Sequence, residues 1–166
     1  MTRGYISVGS NIDKEKNILS ALRALASYFG GLVVSRTYES EPVGFSGETF
    51  YNLIVGFDSD QDVLAITQLL RQIEQEHGRT RECKKFSSRT LDLDLILYGD
   101  LVLYDGNLQI PRHEIEHYAF VLEPLAEIVG DLKHPVTHIS YRELWEQFDK
   151  SNLQQKPVKA GWSSIE

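Results

Sequence analysis

Leu91-Asp92-Leu93-Asp94-Leu95-Ile96-Leu97-Tyr98 alternates apolar and acidic residues before running fully apolar, which reads as a β-strand. On that reading Leu91, Leu93, Leu95 and Leu97 share one face. Asp92 and Asp94 share the other, with Cβ atoms roughly 7 Å apart. Aspartate is depleted in strands, and like charges side by side repel, so something should compensate the pair. Two readings stand. One is a divalent cation, for which all-oxygen ligation favours magnesium carried with phosphates. The other is an edge strand whose solvated charges discourage aggregation.

Upstream of this strand the chain supplies the rest of a sheet. Tyr5–Val8 reads as a buried strand ending at the turn Gly9-Ser10-Asn11. Ile18, Leu19, Leu22, Leu25, Ala26 and Phe29 recur at helical spacing until Gly30-Gly31. Leu32–Glu39 is one β-rich run, and a Pro/Gly loop from Glu41 to Gly47 leads to a strand over Phe50–Phe57. Val63, Ile66, Leu69, Leu70 and Ile73 then form the stripe of a second helix, with caps offered by Asp58-Ser59-Asp60. The order strand, helix, strand, strand, helix, strand is the ferredoxin-like βαββαβ split unit. The expected fold is α+β, an antiparallel sheet with helices packed on it. A hairpin near 101–110 and helices over Tyr118–Val129 and Tyr141–Phe148 make a C-terminal elaboration. One domain is expected over 1–166, with a core at about 3–130 and a polar, loosely held tail from about Ser151.

The composition narrows the functional classes. The chain has 166 residues, 42% hydrophobic and 25% charged, as in an ordinary globular domain. Seventeen basic residues against 24 acidic ones, a net charge of −7, argue against nucleic acid as a partner. No apolar run approaches the ~18 residues of a membrane span, and the start lacks a signal peptide's apolar stretch. The lone Cys83 fits a reducing compartment, so a cytoplasmic protein with a small ligand is expected, and a monomer.

Five cations, Arg79, Arg81, Lys84, Lys85 and Arg89, crowd the loop before the Asp strand, where even spreading of the chain's 17 would give about one. Beside a carboxylate pair they suit a polyphosphate gripped by guanidinium forks. A solvated loop that aids solubility explains them equally well. Neither G-x-x-x-x-G-K-[ST] nor G-x-G-x-x-G is present. His113-Glu114-Ile115-Glu116-His117 matches the zinc-protease pattern H-E-x-x-H, but Pro111 just upstream confines both histidines to a short exposed turn, and surface histidines are expected. Cys83 stands beside cations without an evident catalytic partner. Phe45, Phe50, Tyr51, Phe86 and Phe120 are enough aromatics in or near loops to sandwich a flat heterocycle, although each alone reads as core.

Together these segments resemble the 6-hydroxymethyl-7,8-dihydropterin pyrophosphokinases of folate biosynthesis. The matching pieces are Tyr5–Asn11, Ser40–Gly44, Phe50-Tyr51-Asn52, Arg89-Thr90-Leu91-Asp92-Leu93-Asp94-Leu95 and Tyr118–Leu125, in family order across about residues 5 to 128. The resemblance implies a ferredoxin-like fold and ATP-dependent transfer of pyrophosphate to the pterin hydroxymethyl group, releasing AMP. By position, Asp92 and Asp94 would hold two magnesium ions on the phosphates of ATP. Phe50 and Phe120 would sandwich the pterin, with Asn52 and backbone groups around Ser40–Val43 on its polar edge and Phe86 closing over it. Arg79, Arg81 and Arg89 would act on the triphosphate, and Glu74, Lys85, Leu95 and Arg112 would complete the nucleotide site. Arg112-His113 stands where the family commonly has His-Pro, Tyr118 replaces a common arginine, and Lys85 lacks the planar fork of the arginine usual there. Those departures leave a second possibility, a paralogue that binds pterin or nucleotide without efficient transfer.

Overall fold

The computed structural model describes residues 1–41, 48–78 and 91–159. Strand β1 (Thr2–Ser10) leads into helix α1 (Lys14–Phe29), then the short strands β2 (Val33–Val34) and β3 (Thr37–Ser40) and the long β4 (Phe50–Ser59). Helix α2 (Val63–Glu76) precedes β5 (Asp92–Tyr98). The hairpin β6 (Leu103–Asp105) and β7 (Leu108–Ile110) follows, then α3 (Glu114–His117), α4 (Ala119–Val129), α5 (Tyr141–Gln147) and β8 (Gln155–Val158).

The helices sit where the apolar periodicity places them. Ile18, Ala21, Leu22 and Leu25 are the buried stripe of α1, which ends as Gly30 takes a φ of 80° and donates its N–H to the Ala26 carbonyl. The cap of α2 is Asp62 and not a residue of Asp58-Ser59-Asp60, since β4 runs on to Ser59 and it is the Asp62 carboxylate that accepts the Ala65 N–H at 2.8 Å.

The main sheet runs β5-β1-β4-β3-β8, with β2 also on β4, and every pairing is antiparallel. β1 and the following short strands are thus separated by β4, the split arrangement expected of the ferredoxin-like unit. One face buries Ile6, Val8, Leu53, Val55, Leu93 and Leu95 against α1 and α2. The other buries Tyr5, Ile54, Ile96 and Leu97 against α3, α4 and α5.

Three further local expectations need correction. Leu97 does not share the face of Leu91, Leu93 and Leu95. Tyr5 pairs with Leu97 while Ile6 pairs with Leu95, so Ile96 is an extra residue in β5 and the alternation slips there. The single strand over 32–39 is broken at Ser35-Arg36, because the Arg36 N–H turns away to the Glu127 carboxylate, 2.9 Å distant. The tail from Ser151 is not loose throughout: Gln155–Val158 pairs with β3 and extends the sheet. Pro157 is tolerated because β8 is an edge strand.

Candidate active site

β5 lies at one edge of the sheet, and such an edge leaves backbone N–H and C=O groups without a neighbouring strand. Here they are met from α2 and the segment after β7. The buried Glu74 carboxylate accepts the Leu93 N–H at 2.8 Å, Arg71 Nη1 donates to the Leu93 carbonyl at 3.1 Å, and the Arg112 N–H donates to the Ile96 carbonyl at 3.1 Å. Arg71 Nη1 also meets Glu74 Oε1 at 2.5 Å, one helical turn away, and Nη2 reaches Asp94 Oδ1 at 3.4 Å. Arg112 pairs through Nε with Glu114 Oε2. Closing the edge therefore also brings cations to the acidic pair. Burial works against the charge on Arg71, yet Glu74 and Asp94 more than offset it and hold its pKa above the usual arginine value. Arg112 is raised in the same way, burial being outweighed by Glu114 and Asp94.

Asp92 and Asp94 are both half-buried and alternate with the buried Leu93 and Leu95, so their side chains share the face that carries α3 and α4. Register then lines up a row across the sheet: Asp92 opposite Gly9, Gly9 opposite Asn52, and Asn52 opposite Tyr38. Residues directly opposite in antiparallel strands project to the same face. The row therefore has a carboxylate at one end, an amide two strands away at about 10 Å, and no side chain between them. Glycine keeps that gap clear. A Cβ on Gly9 would stand 2.8 Å from Asn52 Oδ1.

The amide end collects more polar and aromatic groups. Asn52 is buried and its Nδ2 lies 3.4 Å from Ser40 Oγ, while Phe50 pairs directly with Ser40. Phe120, in the first turn of α4, packs on that face and stacks against Tyr118 with centroids 5.1 Å apart. β8 closes the far side, where Gln155 lies opposite Ser40 and its Nε2 donates to the Ala119 carbonyl and to Glu123 Oε1.

Of the residues singled out in the sequence, the structure brings Asp92, Asp94 and Arg112 together at one end of this face, and Ser40, Phe50, Asn52 and Phe120 at the other. Glu74 and Leu95 stand apart from the open face. Glu74 is spent on the β5 backbone and Arg71, and the Leu95 side chain is in the core beside α1 and α2. Val43, Arg79, Arg81, Lys85, Phe86 and Arg89 lie outside the described residues. Arg71 was not singled out, because one arginine on the polar side of an amphipathic helix carries no signal of its own.

His113 and His117 are exposed around α3, as expected, with ring centroids 5.9 Å apart. Glu114 is engaged with Arg112, and Glu116 lies 3.4 Å from His134 Nε2. Among the described residues no group of three or more His, Cys, Asp or Glu side chains could hold a metal ion. Two carboxylates on one strand remain a fitting donor set for magnesium, a hard cation that keeps water or phosphate in most of its coordination positions. Among the described residues no helix is long and apolar enough to cross a membrane.

The chain is similar to known proteins in sequence and in fold. The model of the 7,8-dihydro-6-hydroxymethylpterin-pyrophosphokinase (HPPK) family matches residues 5–130. A 2-amino-4-hydroxy-6-hydroxymethyldihydropteridine pyrophosphokinase of Haemophilus influenzae is 33% identical over 152 residues, covering 89% of this chain and 94% of that protein. One from Methylorubrum extorquens is 33% identical over 159 residues, covering 93% and 99%. The folic acid synthesis protein fol1 of Pneumocystis carinii is 35% identical over 93% of this chain, which spans only 21% of that longer protein. In fold, a Plasmodium falciparum HPPK-DHPS crystal structure superposes with a TM-score of 0.75 at 14% identity, over 95% of this chain and 46% of that one. The chain belongs to the 7,8-dihydro-6-hydroxymethylpterin-pyrophosphokinase family.

Proposed function

We propose that this protein is an ATP-dependent pyrophosphokinase of folate biosynthesis, and the observation that carries the reading is the family match across residues 5–130. The hydroxymethyl oxygen of 6-hydroxymethyl-7,8-dihydropterin attacks the β-phosphorus of ATP. An oxygen–phosphorus bond forms, the bond from the β-phosphorus to the α,β-bridging oxygen breaks, the hydroxyl proton is lost and AMP leaves. Such a transfer needs in-line placement and charge neutralisation more than covalent help.

Asp92 and Asp94 would hold two magnesium ions, a role supported by their half-buried placement on one face of β5. The chemistry magnesium supplies there is neutralisation and orientation of the phosphate oxygens. Arg79, Arg81 and Arg89 grip the triphosphate, aided by Lys85 and by Arg112, whose guanidinium is held near Asp94. Glu74 serves the nucleotide site by fixing the backbone of β5. Leu95 meets the nucleotide through its main chain only. At the other end Phe50 and Phe120 flank the pterin ring, Phe86 covers it, and Asn52, Ser40 and the Val43 backbone take its polar edge. The roughly 10 Å between the two ends suits a pterin lying beside a polyphosphate. In this reading the protein works on small molecules as a cytoplasmic monomer, and its acidic balance of −7 speaks against a nucleic-acid partner.

The test is incubation of the purified protein with magnesium, ATP and the pterin, followed by mass spectrometry. AMP and the pterin diphosphate, both absent without pterin or without magnesium, are the expected products. ADP as the nucleotide product, or pterin binding without turnover, would overturn the reading.

A further inference from the structure

We propose that Arg71 is a counter-cation built into the carboxylate site, holding Asp94 so that a divalent ion is accepted with its nucleotide and disfavoured alone. The inference rests on the pyrophosphokinase reading and adds a positioning residue to it. Three observations lead there. First, the Arg71 side chain is three-quarters buried, and Nη1 is fixed between Glu74 Oε1 at 2.5 Å and the Leu93 carbonyl at 3.1 Å. Glu74 is itself buried, so this cation cannot swing into solvent when another arrives. Second, Nη2 makes the longest of the three contacts, 3.4 Å to Asp94 Oδ1, so it can exchange that oxygen for a phosphate oxygen while Nη1 stays anchored. Third, Arg112 is fixed beside β5 by its N–H on the Ile96 carbonyl and its Nε on Glu114, and Asp94 helps to hold its charge.

The consequence follows from where the charges sit: Glu74 balances Arg71 at Nη1, and Nη2 is the end that meets Asp94. A bare divalent cation at Asp94 must approach a guanidinium that stays protonated at any working pH. A metal–polyphosphate complex is anionic, and the same guanidinium attracts it. Metal and nucleotide therefore favour one another's binding, reciprocally.

Mn2+ serves as the probe, with the free ion followed by electron paramagnetic resonance in the presence and absence of ATP. Arg71→Gln is expected to bind Mn2+ without nucleotide about tenfold more tightly than the wild type, and to gain less from added ATP. Arg71→Lys, which keeps the charge, is expected to stay near the wild type. If the single glutamine variant folds poorly, Arg71→Gln with Glu74→Gln replaces the ion pair by an amide pair and is expected to move the same way but by less, because the Nη2 charge beside Asp94 is lost together with the carboxylate that balances Nη1. A merely structural role for Arg71 would weaken Mn2+ binding in Arg71→Gln. That result, or no change, overturns the inference. Asp94→Asn separates the two levels: unchanged Mn2+ binding there would overturn the carboxylate site as well, whereas weakened binding beside an unaltered Arg71→Gln would overturn the role of Arg71 alone.

Discussion

The Glu74 carboxylate accepts the backbone N–H of Leu93 at 2.8 Å, so a side chain of α2 stands where the next strand of the sheet would. Its other oxygen meets Arg71 Nη1 at 2.5 Å, which ties the edge of β5 to the helix through one buried acid. Removing that acid leaves a buried amide without its acceptor and a largely buried guanidinium without the nearer of its two carboxylates.

Glu74→Ala should therefore destabilise the fold by about 2–3 kcal/mol, and Glu74→Gln by less, because an amide oxygen can still accept from Leu93. Urea unfolding of both variants checks this. A loss below about 0.5 kcal/mol in Glu74→Ala would show that the edge is closed by other means.

Gly9→Ala tests the open row between Asp92 and Asn52. The added Cβ would lie 2.8 Å from Asn52 Oδ1 and must displace that amide toward β3, disturbing its approach to Ser40. A rise of about tenfold in KM for the pterin, with KM for ATP much less affected, is the expected pattern in steady-state kinetics. Gly4→Ala is the contrast, since its Cβ would lie 2.5 Å from the Phe57 ring and 2.9 Å from Tyr98 in the core. It should lower stability by about 1–3 kcal/mol.

How much of this was legible depended on distance along the chain. The alternation at Leu91–Leu95 revealed the strand and its acidic face without further help, and apolar spacing located α1 and α2. Ile96 and Leu97 are both apolar, so nothing in the pattern marks the bulge that turns Leu97 to the other face. The break at Ser35-Arg36 depends on Glu127, 91 residues away, and no local propensity encodes it. Gln155-Lys156-Pro157-Val158 reads as a tail because it is polar and holds a proline, yet an edge strand tolerates both. In the site, spacing singled out Asp92 and Asp94. Ser40 and Asn52 were reached by resemblance, since they come together only once the strands are in register, whereas Phe50 and Phe120 were legible only as aromatics able to sandwich a flat heterocycle.

β8 makes the recovered part of the tail testable. Ending the chain after Leu153 exposes the edge of β3 and removes the Gln155 bridge to Ala119 and Glu123. A loss of about 1–3 kcal/mol in urea unfolding and increased light scattering on concentration are expected. Unchanged stability would mean that the strand contributes no packing.

His134 sets an acid limit on stability. Its ring is buried, and Nδ1 accepts the N–H groups of Val136 at 3.1 Å and Thr137 at 3.2 Å, which requires the neutral form with the proton on Nε2, toward Glu116. Burial pushes its pKa below the ordinary histidine value; Glu116 pulls partly back and His138 adds to the lowering. A depressed folded-state pKa means that the unfolded chain binds the proton more readily. The contribution is therefore complete above about pH 6.5 and is lost as the pH falls toward the lower folded value. The urea midpoint should fall between pH 7.5 and pH 5. His134→Asn, whose side-chain oxygen can accept the same turn N–H groups, should flatten that fall. Identical pH profiles for the two proteins would remove His134 from the account.

The central claim is that the Asp92 and Asp94 carboxylates on the open face of β5 make pyrophosphoryl transfer possible. The most direct test is turnover of Asp92→Asn and Asp94→Asn with magnesium, ATP and the pterin, alongside circular dichroism and pterin binding. Each variant should keep its fold and its pterin affinity while losing about a thousandfold or more in kcat. Turnover within about tenfold of the wild type in both variants would contradict it.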